Sequence, residues 1–366
     1  MKVMYLVYSF TTGGTERLLV DICNEMSKNN EVFLYVVNNY YSSEMLKQVN
    51  KNVTIELENR TVGSKKIFET MSHISNFIKK NKIDIVHCNS LNSPELLLIS
   101  KILNPKIRIF YTIHGMKQYK NLNKVKKIYR NLLCEKIIAI SDAVKNDIIE
   151  SGASRKKIIV VENAIDINKF KDVNFKKMDI DEPIIGNVAR ILPSIKGQDI
   201  LIESINILKD KYPKIKCYFA GTVAQKDYTE FEILKKKVNE NKLEKNIIFL
   251  GNVEKVDEFL KKINIFILPS RQEGFGISLI EAMCMGIPVI SSDIPGPSDI
   301  VTSCKCGKIF KSENPQSLAE KIEEIIENYQ NEKKISLGKV DKIKEYYNIA
   351  NMCQKLKKIY GGKYAK

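Results

Sequence analysis

Residues 269–289 read PSRQEGFGISLIEAMCMGIPV and follow the apolar run Ile263–Leu268. Such a run predicts a strand that is buried on both faces, as in a parallel sheet. Doubly wound sheets bind ligands beyond the carboxyl ends of their strands, so the loop that starts at Pro269 is well placed for a site. Gly274 and Gly276 allow a ligand to approach the backbone, and the helix after them presents unpaired amides to an anion. This segment therefore predicts a diphosphate site.

The same segment carries two glutamates that seven residues separate. Glu273 lies in the loop, and Glu281 lies about two turns into the predicted helix. At this spacing the two carboxylates can bind different parts of one elongated ligand, rather than form a proton-transfer pair. The simpler alternative is a solvated acidic loop followed by a glutamate on a helix surface.

Length and composition place the chain among soluble globular proteins. Its 366 residues suffice for two domains, and 44% of them are hydrophobic while 28% are charged. We expect no targeting segment, and no apolar run approaches the roughly 20 residues of a membrane span. The eight cysteines are scattered, which predicts free thiols in a reducing cytoplasm. Cys304 and Cys306 form a lone CxC, a weak metal signal without a second pair or a nearby histidine.

Strand and helix patterns alternate along the chain, which predicts an α/β fold with parallel sheets. Two similar halves indicate two Rossmann-like domains, at residues 1–165 and 183–345, joined by a polar linker at 166–182. Residues 346–366 are predicted to form a C-terminal helix, because apolar residues recur there at helical spacing. The predicted strands are 2–8, 32–37, 83–88, 107–111, 136–140, 158–161, 184–188, 215–220, 247–250, 263–268, 288–291 and 308–310.

Further candidate residues follow other predicted strands. Gly13 and Gly14 form a strand-to-helix turn in SFTTGGTER, and His114 ends a strand in TIHG. A lone histidine is more often structural, but one beside glycine at a strand end is better placed for a ligand than one on a helix. Arg190 and Lys196 flank the loop in GNVARILPSIKGQD, where two cations can neutralise a diphosphate. The dinucleotide fingerprint GxGxxG is absent from the first turn, which argues against a dehydrogenase.

Together these segments resemble the family 4 retaining glycosyltransferases of the glycosyltransferase B (GT-B) fold, whose signature is a glutamate, seven residues and a second glutamate. The resemblance spans nearly the whole chain. It implies two Rossmann-like domains facing a cleft, with a C-terminal helix that crosses back to the N-terminal domain. The first domain would bind the acceptor and the second would bind the nucleotide sugar.

The resemblance also implies roles for the candidate residues. Glu273 would contact hydroxyls of the donor sugar, Glu281 would hold the ribose, and His114 would contact the donor sugar as well. Arg190 and Lys196 would stabilise the leaving diphosphate. The remaining donor-binding positions are Gly14, Val253, Gly274, Phe275, Gly276 and Ile277, with the base read at Val253 through main-chain atoms. Asp299 departs from the pattern because a glutamate is usual at its position.

The reaction implied is transfer of a hexose, with anomeric retention, from a nucleotide diphosphate sugar to a hydroxyl acceptor. We expect a UDP-sugar donor, a glycan or lipid-linked acceptor in bacterial surface polysaccharide synthesis, and no metal or other cofactor. Two alternatives stay open. One is a sugar-nucleotide epimerase of similar architecture, and the other is a non-catalytic nucleotide- or glycan-binding subunit.

The net charge of +16 is concentrated in one part of the chain. Residues 101–157 contain 14 Lys and Arg against 4 Asp and Glu, which gives +10. We expect no nucleic-acid partner, because this stretch has no recognisable nucleic-acid module. Residues 121–136 are predicted to form an amphipathic helix that favours an anionic inner-membrane surface, so we expect a cytoplasmic protein that is peripheral to the membrane. Its apolar face is Val125, Ile128, Leu132 and Leu133, and its basic rim is Lys124, Lys126, Lys127 and Arg130. The alternative is a solvated Lys-rich helix.

Overall fold

The computed structural model describes residues 1–171, 173 and 178–362, which form two compact units. The first unit comprises Met1–Ala164 together with the chain from Ile349 onward, and the second comprises Ile165–Asn348. The described part of the predicted linker, 166–182, thus belongs to the second unit, where Phe170 and Met178 are buried. Residues 172 and 174–177 of that linker, and residues 363–366 of the predicted terminal helix, lie outside the described residues.

The first unit is built on a seven-stranded sheet in which every pairing is parallel. Its strand order is β3-β2-β1-β4-β5-β6-β7. The strands are β1 (Lys2–Val7), β2 (Glu31–Asn38), β3 (Val53–Arg60), β4 (Ile85–Cys88), β5 (Arg108–Ile113), β6 (Lys136–Ala139) and β7 (Ile158–Val160). The helices before residue 164 are α1 (Gly14–Met26), α2 (Ser43–Lys47), α3 (Ile67–Asn81), α4 (Leu98–Leu103), α5 (Lys124–Leu133) and α6 (Asp142–Glu150).

The second unit is built on a six-stranded parallel sheet of order β10-β9-β8-β11-β12-β13. Its strands are β8 (Ile184–Val188), β9 (Lys216–Ala220), β10 (Ile247–Gly251), β11 (Ile265–Leu268), β12 (Val289–Ser292) and β13 (Lys308–Phe310). Its helices are α7 (Pro193–Lys196), α8 (Gln198–Leu208), α9 (Tyr228–Glu240), α10 (Val256–Leu260), α11 (Ile277–Cys284), α12 (Pro297–Cys304), α13 (Pro315–Glu327), α14 (Tyr329–Leu337) and α15 (Val340–Tyr346). Apolar residues of β8, β9, β11, α8 and α13 form one continuous core. The α/β class and the parallel sheets are as predicted.

The twelve predicted strands are all present, with ends within two residues of the predicted ones. The prediction missed β3, which reads VTIELENR and lies at the edge of the first sheet. An edge strand has one unpaired side, so it tolerates charged residues such as Glu56 and Glu58 that a central strand would exclude. This mixture of charged and apolar residues hid the strand from a search for apolar runs.

The last helix, α16 (Ile349–Tyr360), belongs to the first unit, as the resemblance implied. It packs against α1 and buries an apolar face that ends at Tyr360. The Tyr360 hydroxyl bonds to Nδ1 of His87 and lies 3.5 Å from the Tyr5 hydroxyl, both of which are buried. His87 thus has a structural role inside β4.

The eight cysteines are free thiols, and all except Cys304 are buried. Among the described residues, none of the helices combines the length and the apolar character that a membrane span requires.

Candidate active site

The candidate site of the second unit lies where its strand order reverses. Strands β8 and β11 are neighbours, although they are not consecutive in sequence, and ligands of such sheets bind beyond this point. The loop after β8 leads to Lys196, and the loop after β11 contains Glu273. The two side chains meet, with 2.6 Å between Lys196 Nζ and Glu273 Oε2. About a fifth of each side chain is exposed, so the pair is reachable but partly shielded from solvent.

A close backbone contact places Lys196 next to the end of β11. Gly197 follows Lys196 and has a φ of +66°, in the left-handed region. A Cβ at this position would lie 1.9 Å from the carbonyl oxygen of Pro269. Only glycine permits both this φ and this approach, because it has no Cβ. Gly197 therefore allows the short helix α7 to lie against the β11 loop.

Arg190 lies in the loop after β8 but does not join the Lys196–Glu273 pair. Its side chain is 44% exposed, and its ion-pair partner is Asp227, at 3.7 Å between Nε and Oδ2. The backbone of the loop is fixed by Gln198, which is fully buried and donates from Nε2 to the Arg190 carbonyl at 2.9 Å. A loosely paired guanidinium on a fixed backbone can turn toward an anion at small cost.

The predicted glycine-rich loop connects Glu273 to helix α11. Gly276 has a φ of +111° and precedes the first residue of the helix, Ile277. No side chain caps this helix at its N-cap position, so its first amides can bond to a ligand. Phe275 is buried, and its ring packs edge-on against that of Tyr347 with 5.9 Å between the ring centroids. It can therefore offer a ligand only its main chain.

The helix begins later than the sequence predicted. Since α11 starts at Ile277, Glu281 is its fifth residue and lies little more than one turn into the helix, not two. The side chain of Glu281 is half-buried. Val253 is also half-buried and lies in the loop after β10, beyond Gly251, whose carbonyl accepts a hydrogen bond of 2.7 Å from the Gly221 amide. All these loops share the carboxyl edge of one sheet.

In the first unit, Gly14 is the first residue of α1. An acidic side chain shares this turn, because a Cβ added to Gly13 would lie 2.4 Å from Glu16 Oε2. Burial raises the pKa of Glu16. The turn therefore offers a hydrogen-bond acceptor beside the glycine backbone, and not amides alone.

His114 follows β5 and is held by Asn89, which follows β4. Asn89 donates from Nδ2 to the His87 carbonyl at 3.3 Å, so its Oδ1 faces His114 Nε2 at 3.2 Å. The histidine then carries its hydrogen on Nε2. Nδ1 is buried and has no hydrogen-bond partner among the described residues. Burial lowers the pKa of His114 to about 4, so at neutral pH the uncharged ring can accept a hydrogen bond at Nδ1.

Two family models match the chain, and together they cover most of it. The model of Glycosyltransferase Family 4 matches residues 12–169, and that of Glycosyl transferases group 1 matches residues 168–351. The chain belongs to the family 4 glycosyltransferases. This family 4 transferase has the GT-B fold that the sequence predicted, since it also matches solved structures of that fold along its whole length.

Three comparisons illustrate the similarity of the transferase to known proteins. It is 28% identical over 372 residues to the capsular polysaccharide biosynthesis glycosyltransferase CapH of Staphylococcus aureus, covering 99% of each chain. It is 26% identical over 311 residues to the O-antigen biosynthesis glycosyltransferase WclY of Escherichia coli, covering 81% of each. The crystal structure of HepE from Anabaena in complex with UDP and glucose superposes with a TM-score of 0.85 at 18% identity, covering 99% of this chain and 100% of that one.

Sequence reasoning missed three polar residues that support the candidate site of the transferase. They are Asn89, Gln198 and Arg271, whose partners are respectively His114, the Arg190 carbonyl and a set of groups described below. Each lies within three residues of a strand end or of a residue that was singled out. In the sequence, only this position near a strand end or a candidate residue could have indicated them, because the partners that define their roles lie on other segments of the chain.

The predicted membrane-facing helix of the transferase, α5, needs a correction. Arg130 is fully buried, bonds to Glu95 at 2.7 Å and to the Leu91 carbonyl, and so is not part of a basic rim. Leu133 is buried as well. Arg130 and Leu133 are about one helical turn apart, so both lie on the face of α5 that is turned toward the protein interior. The exposed apolar residues of α5 are Val125, Ile128 and Leu132, at 75%, 61% and 77%.

Proposed function

We propose that this transferase moves a hexose from a UDP-sugar to a hydroxyl of a glycan or lipid-linked acceptor, with retention at the anomeric carbon. The observation that carries the proposal is the contact between Lys196 and Glu273 at the reversal point of the second sheet. One group is a cation suited to a diphosphate, and the other is a hydrogen-bond acceptor suited to sugar hydroxyls. A nucleotide sugar presents these two parts side by side.

The charges of the site suit departure of a diphosphate. As the bond from the anomeric carbon to the phosphate oxygen lengthens, negative charge grows on that oxygen. Lys196 supplies positive charge there, Arg190 can turn from Asp227 to add a second cation, and the uncapped start of α11 supplies main-chain amides. Stabilisation of this charge by protein cations and amides needs no metal ion, and we propose that the enzyme is metal-independent.

Retention is what the resemblance to the family implies, and the roles proposed for the carboxylates decide which retaining mechanism is open to the enzyme. A retaining glycosidase uses one carboxyl as nucleophile and one as acid, about 5 Å apart. Glu273 is instead held by Lys196, and Glu281 is assigned to the ribose. We therefore propose reaction on one face of the sugar. The bond from the anomeric carbon to phosphate breaks, the bond to the acceptor oxygen forms, and the leaving phosphate oxygen takes the acceptor's proton.

The names of similar proteins support the choice of donor and pathway. CapH and WclY are named for capsular polysaccharide and O-antigen biosynthesis, and HepE was crystallised with UDP and glucose. We assign this enzyme to the synthesis of a bacterial surface polysaccharide on that basis. Contacts of Gly14 and His114 with the donor sugar or the acceptor stay predictions.

A membrane surface is the partner that we propose for helix α5. Val125, Ile128 and Leu132 are exposed there, and Ile102 and Leu103 of α4 are 67% and 72% exposed. Residues of both helices line one cavity, since Lys101 of α4 and Leu132 of α5 border it together with Lys106. Apolar side chains beside lysines match an anionic bilayer, and such a location would bring a lipid-linked acceptor to the enzyme.

The test is nucleotide release from a panel of UDP-, GDP- and ADP-sugars, with and without added acceptor. We expect slow release from one UDP-sugar, reduced about 100-fold or more in Lys196→Ala and in Glu273→Gln, as for the loss of one charge-stabilising group in other enzymes. Lys211→Ala is the control, because Lys211 is an exposed lysine paired with two glutamates elsewhere in the second unit. The anomeric proton coupling of the product reports retention, and addition of a chelator reports metal dependence.

Two outcomes would contradict the proposal. Release that is equal in the native enzyme and in both variants would remove Lys196 and Glu273 from the reaction. Formation of a new nucleotide sugar without free nucleotide would identify an epimerase.

A further inference from the structure

Arg271 lies two residues before Glu273 and uses its whole guanidinium group within the protein. Its side chain is 22% exposed. All five of its N–H donors are bonded, which is the full capacity of the group. The bonds are Nε to Glu313 Oε1 at 2.6 Å, Nη1 to the Pro193 carbonyl at 2.7 Å, Nη1 to Asp199 Oδ1 at 2.6 Å, Nη2 to Asp199 Oδ2 at 2.9 Å, and Nη2 to Glu313 Oε2 at 2.8 Å.

These partners lie on three separate segments of the second unit. Pro193 starts α7, Asp199 is in the first turn of α8, and Glu313 precedes α13. The main chain adds two bonds, because the amides of Arg271 and Gln272 both donate to the Ile195 carbonyl, at 2.8 and 3.1 Å. The β11 loop and helix α7 are thus fastened together at several points.

The fastened positions directly precede the two residues that meet in the site. Ile195 is followed by Lys196, and Gln272 is followed by Glu273. A shift of α7 relative to the β11 loop would therefore change the distance between Lys196 Nζ and Glu273 Oε2. No flexible residue separates the anchored backbone from either side chain.

We propose that Arg271 is a positioning residue that holds Lys196 against Glu273 and touches no substrate itself. This inference rests on the function proposed above for that pair. Direct binding of a phosphate by Arg271 would require one of its five bonds to break, and Lys196 and Arg190 are better disposed for that role. A role in stability alone would be expected of scattered surface pairs, whereas these bonds are bidentate and converge on the site loops.

Lysine cannot replace arginine in this role. Its ammonium presents three donors from one point, and so cannot bond to Asp199, to Glu313 and to the Pro193 carbonyl in the observed planar arrangement. In Arg271→Lys the positive charge remains but the geometry is lost. A displacement of about 1 Å in a reacting group can reduce turnover about 100-fold.

The first experiment measures the positioning without using activity. Thermal midpoints are recorded for Lys196→Met, for Glu273→Gln and for the double variant, first with Arg271 and then with Arg271→Lys. We expect the two shifts to be non-additive in the presence of Arg271, as for residues in contact, and additive after Arg271→Lys. Non-additivity of the same size in both backgrounds would overturn the inference. Should Arg271→Lys not fold, Glu313→Ala supplies the second background, because it removes both Glu313 acceptors of Arg271 and leaves the bonds to Asp199 and Pro193.

The second experiment measures turnover, with UDP release from the UDP-sugar that the native enzyme uses. We expect Arg271→Lys to lower the turnover number at least tenfold at saturating donor, while the thermal midpoint moves by only a few degrees. Asp199→Asn should act in the same direction, and Glu323→Gln serves as the control, because it removes one of the two carboxylates paired with the exposed Lys211 elsewhere in the second unit. Full turnover in Arg271→Lys would overturn the inference. Absence of release from the native enzyme would instead overturn the proposed function, and the thermal cycle would still decide the role of Arg271.

Discussion

Two histidines of the first unit are held uncharged by the protein around them. His87 is fully enclosed in β4, where Nε2 lies 2.6 Å from the Thr112 hydroxyl and Nδ1 bonds to Tyr360. Burial, with a smaller effect of His114, lowers the pKa of His87 to about 3. The pKa of His114 is lowered to about 4 by burial. In the unfolded chain both would titrate near 6.5.

These shifts predict that acid destabilises the first unit. Between about pH 6.5 and the lowered pKa values, the unfolded state binds more protons than the folded state, so the free energy of unfolding falls as the pH falls. The contribution of the two histidines to the free energy of unfolding is complete above about pH 6.5, their pKa in the unfolded chain. Each histidine contributes up to about 1.4 kcal/mol per pH unit in this window. Urea unfolding at pH 7.5, 6 and 5 should show the decline, and His87→Gln should make it less steep. An unchanged slope in that variant would refute the assignment.

At the residue scale, the sequence predicted those positions whose chemical type is unusual at a strand end. Lys196 and Glu273 were selected as candidates in this way, and the structure brings their side chains into contact; their roles stay predictions. The residues that hold the candidate site in place, Arg271 and Asn89, were not predicted. Their roles depend on hydrogen bonds to Asp199 and His114, which lie on other segments of the chain. Residue type and spacing do not encode such a partner.

At the scale of the secondary structure elements, buried strands were predictable because burial on both faces requires an unbroken apolar run. Strand β3 was missed because its open edge removes that requirement. Helix α5 was correctly predicted to be amphipathic, but one of the basic residues assigned to its surface, Arg130, is buried. Its charge is balanced by Glu95, which comes from an earlier segment of the chain, so the periodicity of α5 alone could not place it.

Helix α5 is predicted to bind anionic membranes through Lys124, Lys126 and Lys127 and through its exposed apolar residues. Each lysine near such a surface contributes about 1 kcal/mol. Changing all three to glutamine should therefore weaken binding about 100-fold, measured by co-sedimentation with vesicles of equimolar phosphatidylglycerol and phosphatidylcholine. Ile128→Asp should also weaken it.

The control for this test is a variant with the same loss of charge in the second unit. Lys235, Lys236 and Lys255 are exposed there and can be changed to glutamine together. This variant should bind vesicles like the native enzyme. An equal loss in both triple variants would mean that net charge alone drives association, and no binding by the native enzyme would leave α5 as a solvated helix.

At the scale of the whole molecule, the two units differ in how the chain builds them. The second unit is one continuous stretch, whereas the first is completed by α16 from the far end of the chain. Four side chains of α16, Met352, Leu356, Ile359 and Tyr360, are at most 6% exposed. Their burial is worth roughly 6–12 kcal/mol. That is as large as the entire stability of a typical domain, about 5–15 kcal/mol.

The first unit is therefore predicted to need both of its segments in order to fold. A fragment of residues 165–348 should unfold cooperatively in urea on its own, whereas a fragment of residues 1–164 should not. Addition of a peptide of residues 349–366 to the fragment 1–164 should restore a cooperative transition, which far-UV circular dichroism can follow. In the full chain, Tyr360→Phe keeps the packed ring but leaves His87 Nδ1 without its partner, which should lower the free energy of unfolding by about 1–3 kcal/mol. A fragment 1–164 that unfolds as cooperatively as the full chain would show that α16 merely covers a unit that is already complete.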